Sequence, residues 1–173
     1  FLLRLLKLFR SNLLSNDNSL FMGSVIYEGY WQSSRFGMNL GMNWSERRDG
    51  VAIHIRRGDY VSEKNIQRYG YLFTNGYFDK VLKLVENDIV HVFSDDLDWC
   101  RSNLSHQNLV YHEEKNPFLA MRLLGSYDCL IISNSSFSFW AGIFNGRKVI
   151  CPKEWVDQKI KHIDFIPKEW LRV

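Results

Sequence analysis

The chain has 173 residues, enough for one domain with a substantial core, and its 46% hydrophobic and 15% aromatic content excludes a disordered polypeptide. Its net charge of +3 sets 22 Lys and Arg against 19 Asp and Glu, which suits an anionic small molecule or a membrane surface and excludes nucleic acid as the main ligand. Cys100, Cys129 and Cys151 form no close pair and no Cys-x-x-Cys, so neither a zinc site nor a disulfide framework is expected, and a reducing compartment is the simpler reading.

In chain order, Phe1-Leu-Leu-Arg-Leu-Leu-Lys-Leu-Phe-Arg10 is a basic, leucine-rich amphipathic segment. It is too short and too charged to cross a bilayer, so it reads as a helix packing into an upstream domain, or else as a peripheral contact with an anionic membrane surface. Ser15–Ser19 is a polar turn, and Gly41 through Gly50 reads as a linker. The linker divides residues 1–49, an upstream remnant, from a domain over 50–173. Within that domain the pattern alternates: strand 51–56, helix about 76–86, strand 89–94, a short strand near 108–112, helix near 117–127, strand 129–133, helix 136–145 and strand 148–151. Alternating β and α elements with β-branched strands predict an α/β fold, a Rossmann-like parallel sheet covered by helices on both faces. Ligands of such sheets sit beyond the strand C-termini.

Three chemically loaded stretches fall at those ends. Val51-Ala-Ile-His-Ile-Arg-Arg-Gly-Asp-Tyr60 carries two arginines out of an apolar strand into a Gly-Asp turn. Arginine's planar fork grips a diphosphate bidentately where lysine offers a point charge; in the plainer reading, one arginine is a surface charge and the other a structural ion pair. Alternation places His54 beside Arg56, away from Ile53 and Ile55, and sends Arg57 to the other face, toward Asp59 or an acid of the adjacent loop. Ser94-Asp-Asp96 follows the second strand. Asp95 and Asp96 suit a divalent metal, a base, or an acceptor for ribose or guanine; the metal-free option is preferred because adjacent side chains diverge, and Asp95 or Asp96 also serves as a helix cap. Ser133-Asn-Ser-Ser-Phe137 lies between a strand and an aromatic helix ending at Gly146. A helix N-terminus there stabilises an anion, with Ser135 or Ser136 as the N-cap. Phe139 and Trp140 read as helix packing rather than sugar stacking. The Asn-x-Ser triplets at Asn43, Asn103 and Asn134 and the tripeptide Arg57-Gly-Asp59 carry no weight in this context.

The string His54-Ile-Arg-Arg-Gly-Asp-Tyr60 resembles the first signature of the α-1,2-fucosyltransferases, glycosyltransferase family 11. Gly29-Tyr-Trp-Gln-Ser33 precedes it, and Val92-Phe-Ser-Asp-Asp96 with Trp99-Cys100, Ile131-Ile-Ser-Asn-Ser-Ser-Phe-Ser-Phe-Trp140, and Val149-Ile-Cys-Pro-Lys-Glu-Trp155 follow in the family's order. The agreement spans residues 29 to 155. Family members open with a Gly-rich nucleotide-sugar segment and a complete first Rossmann-like domain, which this chain does not match, and only residues 34–50 separate Ser33 from Val51. It reads as the C-terminal, donor-binding half of a GT-B enzyme.

The resemblance implies inverting, metal-independent transfer of L-fucose from GDP-fucose to the 2-hydroxyl of a terminal β-galactoside on a glycan acceptor, with no cofactor. It makes Arg56, Arg57, Ser135 and Ser136 the diphosphate candidates. Arg56 and Asp59 are the catalytic candidates, Asp59 as the base for the acceptor hydroxyl because it follows the arginines at the strand mouth, and His54, beside Arg56 on the strand, with Asp95, Asp96, Asn134 and Phe137 are further donor contacts. It places a bacterial enzyme at the cytoplasmic side of the membrane and a eukaryotic one at the Golgi membrane. The alternatives are a non-catalytic relic that holds GDP and a membrane-peripheral module acting through residues 1–14.

Overall fold

A computed structural model describes residues 46–155 and 166–173. The amphipathic segment, Gly29–Ser33, the Asn43 triplet and most of the 1–49 region lie outside these residues. Six strands form one parallel sheet: β1 (Arg48–Ile55), β2 (Val90–Ser94), β3 (Leu109–His112), β4 (Tyr127–Ile131), β5 (Lys148–Cys151) and β6 (Leu171–Arg172), in the order β3-β2-β1-β4-β5-β6. The helices are α1 (Ile66–Tyr69), α2 (Tyr77–Lys83), α3 (Leu97–Asn103), α4 (Pro117–Leu124) and α5 (Ser136–Asn145).

Side-chain alternation explains the layers. Val51, Ile53 and Ile55 of β1 join Val90 and Val92 of β2 against Tyr77, Phe78, Val81 and Leu82 of α2 and Cys100 of α3. Ala52, Phe93 and Leu130 point the other way, onto Met121 and Leu124 of α4 and Phe139 and Trp140 of α5. Each fully buried aliphatic or aromatic side chain contributes about 1.5–3 kcal/mol, so both faces need their helices. The result is the expected Rossmann-like α/β sandwich. Phe139 is 0% and Trp140 2% exposed, in line with packing rather than ligand stacking. All three cysteines are buried.

Differences from the sequence reading are local. β1 starts at Arg48, inside the stretch read as linker, because Arg48 N–H bonds Ser126 O and a register irregularity lets the strand continue along β4. Between β1 and α2 the chain winds through two 3-10 turns and α1, where no hydrophobic periodicity marks an element. β6, two residues long, is held by Val173 N–H donating to Cys151 O and Lys153 N–H donating to Val173 O. Among the described residues no helix is long and apolar enough to cross a membrane.

The strand order reverses between β1 and β4: one half of the sheet continues outward from β1 through β2 and β3, the other from β4 through β5 and β6. Loops leaving these two strands diverge to opposite faces and open a crevice at their C-terminal ends, the place where doubly wound sheets hold ligands.

Candidate active site at the sheet switch point

β1 delivers Arg56 and Arg57 to one side of that crevice. Arg56 Nε and Nη2 donate to Asp59 Oδ1 at 3.1 and 2.8 Å, and its Nη1 lies 2.7 Å from Asp95 Oδ2. Arg57 goes elsewhere: its Nη1 donates to Asp96 Oδ2 at 3.0 Å, and its guanidinium stacks 4.7 Å from the Trp99 ring and 5.6 Å from Phe73. The ion-pair partner of Arg57 is thus the acid of the adjacent loop, while Asp59, three residues after Arg56, folds back on Arg56 through the 3-10 turn.

β2 supplies the acids, and they diverge as alternation requires. Asp95 accepts from the Arg57 backbone N–H at 2.8 Å as well as pairing with Arg56. Asp96 caps α3, its Oδ1 accepting from Trp99 N–H at 3.0 Å. Ser94 ties the two strand ends together, donating to Ile55 O at 2.8 Å and accepting from Asp96 N–H at 3.0 Å. Gly58 belongs to this clamp, since a Cβ there would stand 2.6 Å from Asp95 Oδ2. The cap reading of Asp96 and the arginine-partner reading therefore both hold, on different oxygens. Among the described residues no three His, Cys, Asp or Glu side chains are grouped to hold a metal ion.

β4 supplies the other wall. Ser135 is the N-cap of α5 but its side chain makes no cap bond, so the first-turn N–H groups have no hydroxyl spent on them and remain directed out of the helix end. Asn134 is 2% exposed, its amide donating at 3.1 Å to both Tyr69 O and Trp155 O. Tyr60 O–H donates to Asn134 O at 3.1 Å. Asn134 is thus a structural clamp of the loop, whereas Ser136 and Phe137 are partly exposed at its tip.

His54 sits between the walls, 7% exposed, with its ring 4.9 Å from Phe137 and its Nδ1 2.5 Å from Ser138 Oγ. Burial lowers its pKa from 6.5 to about 4, with Arg56 pushing the same way and Asp95 opposing, so the imidazole is neutral at physiological pH.

Arg56, Asp59 and Asp95 therefore cluster after β1, and His54 packs on Phe137 of the Ser135–Phe137 loop after β4, while Arg57, Asp96 and Asn134 hold the frame. Ser133 and Ser138 were not singled out by sequence: Ser133 Oγ accepts from the Arg56 N–H at 3.2 Å and lies 3.2 Å from Ser138 Oγ. Two serines fully buried beside an apolar strand and helix are the signal, and it shows only once the register of β1 and β4 is known.

The Arg56 guanidinium after β1 and a helix N-terminus without a side-chain cap after β4 follow the two strands that flank the reversal of strand order, the place where doubly wound α/β sheets hold ligands. The chain belongs to glycosyltransferase family 11, whose family model matches residues 30–173. It is similar to an alpha-1,2-colitosyltransferase of Escherichia coli, 28% identical over 90% of this chain and 65% of that protein. It is also similar to the O-antigen biosynthesis glycosyltransferase WbnK of Escherichia coli, 26% identical over 64% of this chain and 40% of that protein, and to galactoside 2-alpha-L-fucosyltransferase SEC1 of Bos taurus, 27% identical over 69% and 35%. The chain thus spans between about a third and about two-thirds of the length of these relatives. No solved structure shows a significant match.

Proposed function

We propose that the described domain binds GDP-fucose as the donor half of a fucosyltransferase that moves L-fucose to the 2-hydroxyl of a terminal β-galactoside, with inversion and without a metal or cofactor. The observation that carries the reading is that Arg56 and the α5 N-terminus follow β1 and β4, the two strands that flank the switch point. Together they offer a bidentate cation and free N–H groups to a diphosphate. The matched relatives carry fucosyl- and colitosyl-transfer in their names, which supports a deoxy-sugar donor.

In this state Arg56 already has an anion. Two arginines face three aspartates, and Asp59, with 58% of its side chain exposed, forms the outermost pair with Arg56 at 38%. A pair this exposed contributes only about 0–1 kcal/mol, so an entering β-phosphate exchanges with Asp59 at small cost. Asp95 keeps the guanidinium in place during the exchange. As the sugar leaves through an oxocarbenium-like transition state, charge grows on the departing phosphate, and Arg56 with the α5 N-terminus stabilises it where it forms. Released from Arg56, the Asp59 carboxylate becomes available to take the proton of the acceptor hydroxyl. The acceptor is a galactose-terminated glycan, and contact with a membrane surface, cytoplasmic in a bacterium or Golgi in a eukaryote, accompanies the reaction.

Calorimetric titration with GDP, in EDTA and then in Mn²⁺ or Mg²⁺, tests this directly. Binding of equal strength in all three is expected. A tenfold loss in EDTA restored by either ion would turn Asp95 and Asp96 into metal ligands and overturn the metal-free account.

A further inference from the structure

A line of buried polar groups crosses from β1 to α5 beneath the arginine turn. Arg56 N–H reaches Ser133 Oγ at 3.2 Å, Ser133 Oγ lies 3.2 Å from Ser138 Oγ, and Ser138 Oγ lies 2.5 Å from His54 Nδ1. Both serines are 0% exposed, so each hydroxyl proton needs a partner inside the protein. A backbone amide only donates. Ser133 Oγ therefore accepts from Arg56, and its own O–H is left for Ser138 Oγ, its one remaining partner among the described residues. Ser138, accepting from Ser133, turns its proton toward His54. The opposite polarity, with His54 Nδ1–H donating to Ser138 and Ser138 to Ser133, would strand the Ser133 proton in the core.

Accounting for every donor thus fixes the tautomer: Nδ1 accepts, and the ring proton sits on Nε2. Among the described residues the one buried side-chain nitrogen or oxygen without a partner is Arg57 Nε. His54 Nε2 has no partner among the described residues either, and with Nδ1 engaged by Ser138 it is the ring nitrogen left to meet solvent or ligand in a residue that keeps 7% of its surface exposed. We propose that Ser133 and Ser138 are positioning residues that lock His54 as the Nε2–H tautomer. They thereby present a neutral, directed N–H donor beside Arg56 to an acceptor atom of the bound nucleotide-sugar. The ligand in this statement rests on the donor-site reading; the tautomer does not.

The test is long-range proton–nitrogen NMR on the full chain labelled with ¹⁵N-histidine, with His54→Gln assigning one of the five histidines. The wild type should show an acceptor-type Nδ1 and a protonated Nε2 at neutral pH, and Ser138→Ala should lose that preference. GDP should then shift the wild-type Nε2 signal. A wild type protonated at Nδ1, measurable whether or not Ser138→Ala folds, overturns the lock, as does a Ser138→Ala spectrum with the tautomer unchanged. GDP that binds without moving Nε2 overturns the presentation to ligand. No GDP binding at all, with the tautomer as expected, overturns the donor-site reading and leaves the lock standing.

Discussion

Alternation at the end of β1 parts two neighbouring arginines: Arg56 keeps 38% of its side chain exposed between Asp59 and Asp95, while Arg57, at 21%, lies against Trp99 and pairs with Asp96. Arg57→Ala should therefore cost stability, about 1–3 kcal/mol from the lost stacking and an Asp96 left without its cation. Urea denaturation measures this, and Arg56→Ala is the control, expected to cost less than about 1 kcal/mol because its pair with Asp59 is exposed and Asp95 keeps the Arg57 N–H. Equal losses would contradict the division of labour. His54 makes the fold pH-sensitive. Its folded pKa, near 4, lies below the ordinary 6.5 because of burial. Above 6.5 neither state holds the proton; between 6.5 and 4 the unfolded chain gains it and the folded one does not. The stability from a neutral His54 is thus fully present above about 6.5 and lost as pH falls toward 4, by about 3 kcal/mol. Burial lowers the pKa of His91 and His112 as well, adding loss in the same direction. Urea midpoints at pH 7 and 4.5 should fall farther for the wild type than for His54→Asn, and parallel falls would contradict the assignment.

At the scale of elements, the sheet could be read from the sequence because its strands are runs such as Val51–Ile55 and Leu130–Ile132, and because Gly146, with φ 63°, ends α5 where an L-residue would be strained. The turns between Gly58 and Phe73 could not, since 3-10 geometry leaves no amphipathic period. β6 escaped for a different reason: Leu171–Arg172 is a strand only through its contacts with β5. The candidate site followed the same rule. Arg56 and the Ser135–Phe137 loop stand in local motifs, whereas Asp59 folding onto Arg56 and Ser138 reaching His54 depend on turn and register. The C-terminal segment is fixed by Gly142 in α5, where a Cβ would meet the Trp170 ring at 2.8 Å. Trp170 is 6% exposed within the core, so it has little room to yield, and Gly142→Ala should destabilise by about 1–3 kcal/mol. A thermal melt unchanged by Gly142→Ala would show that Trp170 does not pack on α5 in solution.

For the whole molecule, the proposed donor binding is one half of the reaction, since transfer also requires an acceptor held in line with the donor. Proximity and orientation are worth about 7–11 kcal/mol of barrier, and the chain spans only about a third to two-thirds of the length of its relatives. We expect the 173-residue chain, given GDP-fucose and an N-acetyllactosamine acceptor, to turn over far more slowly than about 1 per second, as mass spectrometry of the product would show. Turnover at that rate would place an acceptor site within this chain, and GDP binding with no transfer under any addition would favour the non-catalytic relic. The central claim, that the guanidinium at the end of β1 grips a diphosphate, is tested most directly by calorimetry of GDP with the wild type and Arg56→Lys. Lysine keeps the charge and loses the fork, so the account predicts affinity weaker by about 1.5–3 kcal/mol; equal affinities for the two proteins would contradict it.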